Sequence, residues 1–188
     1  MRSLLMAVTV ASALAATGCT DVLSLNPWVE GEGLMDPQFA GSWSSGDGGD
    51  GDVFVIQAVE NEKYDVRYAS EKESTRFEGR LLAAGGARFF DLIPTKGESS
   101  SLFAWPSHAL VKVWFEGEDL NFAFVDSEWF RQLAGNLAVP MQKIDSAVLL
   151  TAPTATLSGS LLQYAAYPQA VSEGGEFRSG TVKLHRLK

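Results

Sequence analysis

The residue types that carry metal or acid–base chemistry are sparse in this sequence. His108 and His185 are the only histidines, and they lie far apart without the spacing of metal ligands. The run 47–52 reads Asp-Gly-Gly-Asp-Gly-Asp, and carboxylates are oxygen ligands of the kind that Ca²⁺ takes. Its spacing is not that of an EF-hand loop, and Gly with Asp is typical of a hairpin tip. We therefore expect no metal and no cofactor.

Carboxylates at the ends of predicted elements offer another route to catalysis. Asp91, Asp126 and Glu128 are of this kind, and acid–base pairs can assemble across strands. In such positions a carboxylate more often caps a helix or solubilises a surface. The sequence has no Gly-x-Ser-x-Gly elbow and no phosphate-binding glycine loop. We do not predict an enzyme, and an envelope enzyme with carboxylates at a barrel mouth stays as an alternative.

Cys19 is the only cysteine, and it follows a segment with the features of an export signal. Arg2 precedes an uncharged run over residues 4–16, and small residues come next. A helix of that length rises about 20 Å at ~1.5 Å per residue, which is short of the roughly 30 Å of a bilayer core. Residues 1–18 are therefore predicted to be a cleaved signal peptide.

The segment Ala16-Thr17-Gly18-Cys19 resembles the lipobox of bacterial lipoproteins, with Ala16 where that family usually has Leu. The resemblance implies that a diacylglycerol group alkylates the Cys19 thiol and that cleavage frees its amino group for a further acyl chain. Two or more chains give stable membrane attachment, whereas one chain gives marginal binding. The alternative is an ordinary secretory cleavage site, which would release a soluble small-molecule-binding protein.

An acidic balance limits the partners of the chain. The formal net charge is −8, and no cluster of Lys and Arg is available to neutralise nucleic-acid phosphates. No second apolar stretch approaches the ~18 residues of a membrane span, so attachment depends on lipids at Cys19. Thr20 is not the Asp that accompanies inner-membrane retention of lipoproteins in some bacteria, which favours an outer membrane. We expect a lipid anchor on the cell membrane or outer membrane, with the domain facing the periplasm or exterior.

One β-rich domain is predicted over residues 39–188. Residues 19–38 contain X-Pro steps and scattered Gly without periodic apolar positions, which predicts a lipidated N-terminus followed by a flexible tether. Eight later segments show two-residue alternation or short apolar runs: Phe39–Trp43, Val53–Val59, Tyr64–Tyr68, Arg76–Leu82, Arg88–Ile93, Ala109–Phe115, Leu120–Val125 and Thr181–Leu187. Short connections indicate hairpins. The pattern predicts a mainly β fold, an antiparallel up-and-down barrel or meander of about eight strands.

Two short helices are predicted near the C-terminal third. The first begins at Asp126 or Ser127, and the second follows Pro153. Their apolar stripes are typical of core packing and comprise Trp129, Phe130, Leu133 and Leu137 in the first and Leu157, Leu161 and Tyr164 in the second. Residues 147–151 predict one more short strand.

The opening strand, Phe39-Ala40-Gly41-Ser42-Trp43, resembles the Gly-x-Trp signature of lipocalins. This resemblance implies an eight-stranded up-and-down barrel in which Trp43 closes one end and Arg186, near the last strand, packs over it. Residues 39–166 also resemble a family of bacterial exported proteins without an assigned activity. That similarity rests on Gly-x-Trp, Tyr64-Asp65-Val66, Phe77-Glu78-Gly79-Arg80-Leu81, Phe89-Phe90-Asp91-Leu92, His108 with Lys112-Val113, Asp126-Ser127-Glu128-Trp129 and Leu149-Leu150-Thr151-Ala152.

The sequence thus favours a membrane-anchored envelope lipoprotein that works as a binding or accessory module. A barrel of eight strands either is filled by its own side chains or holds one small apolar ligand, and composition does not decide between these. Inward aromatic residues would line such a cavity or else form the core: Trp43, Phe54, Tyr64, Tyr68, Phe77 and Phe122. An interaction module would instead dock an envelope protein through exposed aromatics such as Trp105.

Overall fold

The computed structural model describes residues 22–46, 51–71, 74–95, 107–125, 130, 139–144, 147–166 and 181–188. One α-helix, α1 (Thr154–Ala165), is described within these residues. The strands are β1 (Val22–Ser24), β2 (Gly41–Ser44), β3 (Val53–Val59), β4 (Lys63–Ala69), β5 (Ser74–Ala84), β6 (Ala87–Pro94), β7 (His108–Glu116), β8 (Asp119–Phe124), β9 (Met141–Ile144), β10 (Ala147–Leu150) and β11 (Thr181–Arg186).

Eight of these strands close into an antiparallel barrel. Each strand from β2 to β8 pairs with the next one along the chain, and β11 joins β8 to β2. The closure is possible because two-residue alternation gives each strand one apolar face, as in β4, where Tyr64 and Val66 are buried while Arg67 is exposed. The predicted fold class is confirmed, and the eight predicted segments are the eight barrel strands.

Short hairpins connect neighbouring strands, as predicted. Gly85 and Gly86, between β5 and β6, have φ values of 55° and 81°. A two-residue hairpin with positive φ at both positions matches the twist of its strands, and glycine adopts this conformation without a steric penalty. The β7–β8 turn at Gly117 also has a positive φ. These tight turns place consecutive strands side by side and fix the up-and-down order.

A second layer covers one side of the barrel. The short strand β1 pairs antiparallel with the beginning of β7, through Leu23 with Ala109 and Ser24 with His108. On its other edge β1 pairs in parallel with β10, which pairs with β9. The helix α1 follows Pro153, as predicted, and buries Leu157, Leu161 and Tyr164. The chain therefore leaves the barrel after β8, builds this layer, and returns with β11.

Within the described residues, two large hydrophobic cores and one small cluster of Leu23, Ala109 and Leu149 result from this arrangement. The barrel core comprises Phe39, Trp43, Ile56, Tyr64, Val66, Phe77, Leu81, Phe90, Val111, Val113, Leu120, Phe122 and Leu184. The outer core lies between the barrel wall and the second layer and includes Val22, Trp28, Leu82, Phe89, Leu110, Phe130, Val148, Leu150, Leu157, Leu161 and Tyr164. Neighbouring residues of β6, such as Phe89 and Phe90, belong to different cores because strand side chains alternate between faces.

The predicted tether does not hold for residues 22–38. Val22–Ser24 form a buried strand, and Trp28 is fully buried against the ring of Phe130. Leu34 then bridges to Leu81 on β5. The segment escaped prediction because its strand is three residues long and its apolar residues have no period. It belongs to the folded domain.

Several predicted features lie outside the described residues. Cys19 and the signal peptide are among them, as are Asp47, Asp50, Trp105, Asp126 and Glu128. Of the first predicted helix the structure describes Phe130, which is buried in the outer core.

Candidate functional site

One end of the barrel is sealed by a short segment that we call the plug, residues 36–40. Its 3₁₀ turn spans Pro37–Phe39, and the Asp36 side chain caps this turn by accepting a hydrogen bond from the Gln38 N–H at 3.0 Å. Phe39 is fully buried, with its ring 5.3 Å from that of Phe90 and 4.9 Å from that of Phe115. The plug therefore fills the barrel end with an aromatic side chain.

Trp43 and Arg186 hold the plug by hydrogen bonds to its backbone carbonyls. The indole of Trp43 is fully buried and donates a hydrogen bond to the Phe39 carbonyl at 3.0 Å. The Arg186 guanidinium lies 4.2 Å from the indole centroid and donates to two plug carbonyls, those of Ala40 at 2.9 Å and Gln38 at 2.7 Å. The structure thus places Arg186 over Trp43, in the arrangement that the lipocalin resemblance implies.

Gly41 is required by this packing. Its φ is +149°, and a Cβ at this position would lie 2.6 Å from Nη1 of Arg186. Any larger residue would displace the guanidinium from the indole ring. Gly41 and Trp43 are therefore both needed for the close approach of Arg186. The glycine leaves room for the guanidinium, and the indole provides the ring on which the guanidinium packs.

Tyr64 and Arg88 hold the plug from the barrel wall. The buried Tyr64 hydroxyl accepts a hydrogen bond from the Asp36 N–H at 2.7 Å and donates one to the Asp36 carbonyl at 3.1 Å. Burial raises the pKa of Tyr64, although the Asp36 backbone contact opposes the increase. The Asp36 carboxylate forms an ion pair with Arg88, whose guanidinium also lies 5.9 Å from the Phe39 ring centroid.

The opposite end of the barrel carries a series of aromatic side chains that we call the distal cluster: Phe54, Tyr68, Phe122 and Phe124. The ring of Phe54 is 5.1 Å from that of Tyr68 and 5.2 Å from that of Phe122, which is 5.8 Å from that of Phe124. Phe54, Tyr68 and Phe124 are partly exposed although they pack against the barrel core. The Tyr68 hydroxyl donates to the Asp52 carboxylate at 3.1 Å.

All six residues predicted to line a cavity or form the core lie in or against the barrel core. Trp43 and Tyr64 are fully buried at the plug end, and Phe77 lies beside Val66 in the middle of the wall. Phe54, Tyr68 and Phe122 lie at the distal end, where side-chain exposure increases. Alternation along the strands was sufficient to group these residues, and the binding of a ligand to them stays a prediction.

Asp91 and His108 form a pair that the sequence did not reveal. Asp91 is fully buried, and its two carboxylate oxygens lie 2.9 and 3.0 Å from Nδ1 of His108, whose side chain is 11% exposed. A carboxylate that orients an imidazole is a component of acid–base sites, but such a site also needs access for a substrate. Here the pair lies on the outer face of the wall, where β1 joins β7, and we interpret it as structural.

Comparison with known proteins assigns no relative: no protein-family model, no curated protein and no solved structure matches this chain. Within the described residues, no group of three or more His, Cys, Asp and Glu side chains is arranged to hold a metal ion. The same part of the chain contains no helix long and apolar enough to cross a membrane.

Proposed function

We propose that this chain is an exported lipoprotein, anchored through Cys19, whose barrel binds a small apolar ligand at the distal cluster. The protein would act as a binding or accessory module of the cell envelope, on the cell membrane or outer membrane. Its partners are then the membrane, through lipids on Cys19, and the ligand.

The observation that supports binding is the difference between the two barrel ends. At the plug end, Phe39, Trp43 and Tyr64 are fully buried and hydrogen bonds join the plug to the wall. At the distal end, Phe54 and Tyr68 are partly exposed while their rings pack against each other at a tilt. Partly exposed aromatic side chains at the mouth of a barrel are a common way to bind an apolar molecule.

A neutral fluorescent probe, phenylnaphthylamine, tests the ligand site. The full chain carrying Cys19→Ser, which lacks the acylated residue and needs no detergent, is titrated with the probe. Replacing the aromatic ring by a small polar group in Phe54→Ser is expected to weaken binding about tenfold, since about 1.4 kcal/mol of apolar contact is lost.

The control is Val59→Ser, an equally polar change at an exposed residue. Val59 is the last residue of the same strand, on the side of the plug. Its affinity for the probe should equal that of the parent. Thermal melting of both variants verifies that the fold is kept. Equal probe affinity in folded Phe54→Ser and Val59→Ser would remove the distal cluster as the binding site.

The lipid anchor has its own test. Cys19→Ala is expected to move the protein from the detergent-rich phase to the aqueous phase, because a lipidated Cys19 is the only membrane attachment that the sequence predicts. Thr20→Ala is the matched control and should stay in the detergent-rich phase. Unchanged partitioning of Cys19→Ala would contradict the lipoprotein proposal, and an aqueous parent protein would favour the secreted soluble alternative.

A further inference from the structure

The side chain of Asp52 is held at the distal end of the barrel, directly before β3. The Asp52 N–H donates to the Ser45 hydroxyl at 3.0 Å, and the Asp52 carbonyl accepts a hydrogen bond from the Ser45 N–H at 3.0 Å. The Asp52 carboxylate accepts another from the Tyr68 hydroxyl at 3.1 Å. Because Ser45 follows β2 and Tyr68 belongs to β4, contacts from both neighbouring strands fix this carboxylate at the barrel mouth.

The same carboxylate lies beside the aromatic rings of the distal cluster. Asp52 comes two residues before Phe54, so the two side chains are on the same face of the extended chain. The ring of Tyr68, whose hydroxyl contacts Asp52, is 5.1 Å from that of Phe54. Asp52, Phe54 and Tyr68 are all partly exposed. A molecule that packs on these two rings therefore also meets the carboxylate.

Within the described residues, Asp52 has no cationic partner, and its carboxylate contact is the one with Tyr68. Arg67 and Arg76 lie at the same end of β4 and β5, but both contact the Asp65 carboxylate on the outward face of the wall, at 3.0 and 2.6 Å. Arg67 precedes Tyr68 on β4 and so points to the other face. The negative charge of Asp52 thus remains available to a positively charged ligand.

Aromatic rings next to a carboxylate match one class of ligand. The face of an aromatic ring attracts a cation through its quadrupole, and rings of this kind bind ammonium groups in many proteins. A carboxylate adds a direct charge interaction. The formal net charge of −8 acts in the same direction, since it attracts cations and repels anions.

We propose that the distal cluster binds a small organic cation, an alkyl or aryl group that carries an ammonium. The ammonium lies between the Asp52 carboxylate and the rings of Phe54 and Tyr68, and the apolar part packs toward Phe122 and Phe124. This inference rests on the proposed function and names the chemical class of its ligand. A zwitterionic lipid headgroup fits less well, because its phosphate would lie close to the Asp52 carboxylate.

Calorimetric titration with decyltrimethylammonium, below its micelle concentration, tests the proposal on the full chain carrying Cys19→Ser. Asp52→Asn keeps the size of the side chain and an oxygen that accepts from Tyr68, but removes the charge. We expect it to weaken binding of the cation about fivefold, as the loss of one ion pair implies.

Glu60→Gln is the matched control. It removes one exposed carboxylate from the turn at the opposite end of β3, so it changes the net charge equally without touching the distal cluster. Its affinity for decyltrimethylammonium should equal that of the parent. Thermal melting verifies that both variants keep the fold.

Two further ligands test the charge preference on the parent chain without any substitution at the site. Decanoate carries an anionic group on its alkyl chain, and decylphosphocholine carries a phosphate beside its trimethylammonium. We expect each to bind at least about fivefold more weakly than decyltrimethylammonium. Absence of binding of the cation, equal affinity for either of these ligands, or equal affinity of Asp52→Asn and Glu60→Gln for the cation would overturn the proposal.

The neutral probe phenylnaphthylamine separates this inference from the proposed function. Probe binding that Phe54→Ser weakens, together with cation binding that does not depend on Asp52, would keep the ligand site and remove its cationic ligand. Failure of the parent to bind either the probe or decyltrimethylammonium would remove the ligand site as well.

Discussion

Trp43 makes three kinds of contact that hold the plug end together. Its indole is covered by the Arg186 guanidinium, contacts the Phe115 ring at 6.0 Å, and donates to the plug backbone. Removing it leaves a cavity, strips the cation from its aromatic partner and frees the plug. Burial, cation–π attraction and a hydrogen bond therefore all depend on one side chain.

We predict that Trp43→Ala lowers the free energy of unfolding by about 3–5 kcal/mol, the usual cost of truncating a buried aromatic residue. Trp114 lies on the outer wall and is only partly buried, so Trp114→Ala should lower the free energy of unfolding by less than about 1 kcal/mol. Urea denaturation midpoints of the two variants provide the comparison. An equal or larger loss in Trp114→Ala would contradict the stabilising role of Trp43 at the plug end.

Tyr64 makes the folding stability of the protein depend on pH in the alkaline range. Because burial raises the pKa of Tyr64 above its ordinary value of 10.0, the folded state favours the protonated phenol more than the unfolded state does. The stability that this provides is fully present below about pH 10 and is lost as the pH rises above it through the raised pKa.

We therefore predict that the parent protein loses more stability than Tyr64→Phe between about pH 9 and about pH 11. The variant lacks the titrating hydroxyl and should be less stable at neutral pH, because the two hydrogen bonds with Asp36 are absent. Denaturation midpoints measured across this range test the difference. Parallel pH profiles of the two proteins would show that Tyr64 does not titrate in this way.

At the scale of elements, the barrel strands were predictable and the second layer was only partly so. Alternation or a short apolar run predicted every barrel strand because the inward face of each strand is apolar, as β5 shows from Thr75 to Leu81, after which Leu82 and Ala84 are buried in the outer core. The pairing of β1 depends instead on β10, more than a hundred residues later, and no local pattern encodes it. The Asp91–His108 pair was hidden for a related reason, since the two residues are 17 positions apart on different strands.

The N-terminal segment before the barrel is an element of the fold, which leads to a prediction by truncation. A chain that starts at Phe39 lacks β1, Trp28 and the Asp36 contacts, so it should lose several kcal/mol of stability or fail to fold. A chain that starts at Thr20 keeps them and should unfold at the midpoint of the full chain. Cooperative unfolding of the Phe39 chain at that same midpoint would restore the tether interpretation.

At the scale of the whole molecule, the packed N-terminal segment changes how an anchored domain would be held. Only a few residues separate Cys19 from Val22, where β1 begins. The three steps along the chain from Cys19 to Val22 span at most about 10–11 Å when the backbone is fully extended. If Cys19 carries lipids, as we propose, the side of the barrel covered by β1 therefore stays close to the membrane.

We propose that the distal end of this barrel admits an apolar ligand while the plug end remains sealed. The most direct test of this proposal is nuclear magnetic resonance of the Cys19→Ser chain during titration with phenylnaphthylamine. We predict saturable shifts in the ring resonances of Phe54, Tyr68 and Phe122, and no saturable shift for Phe39. Shifts confined to Phe39 and the outer wall, or no saturable shift at the distal residues, would contradict the claim.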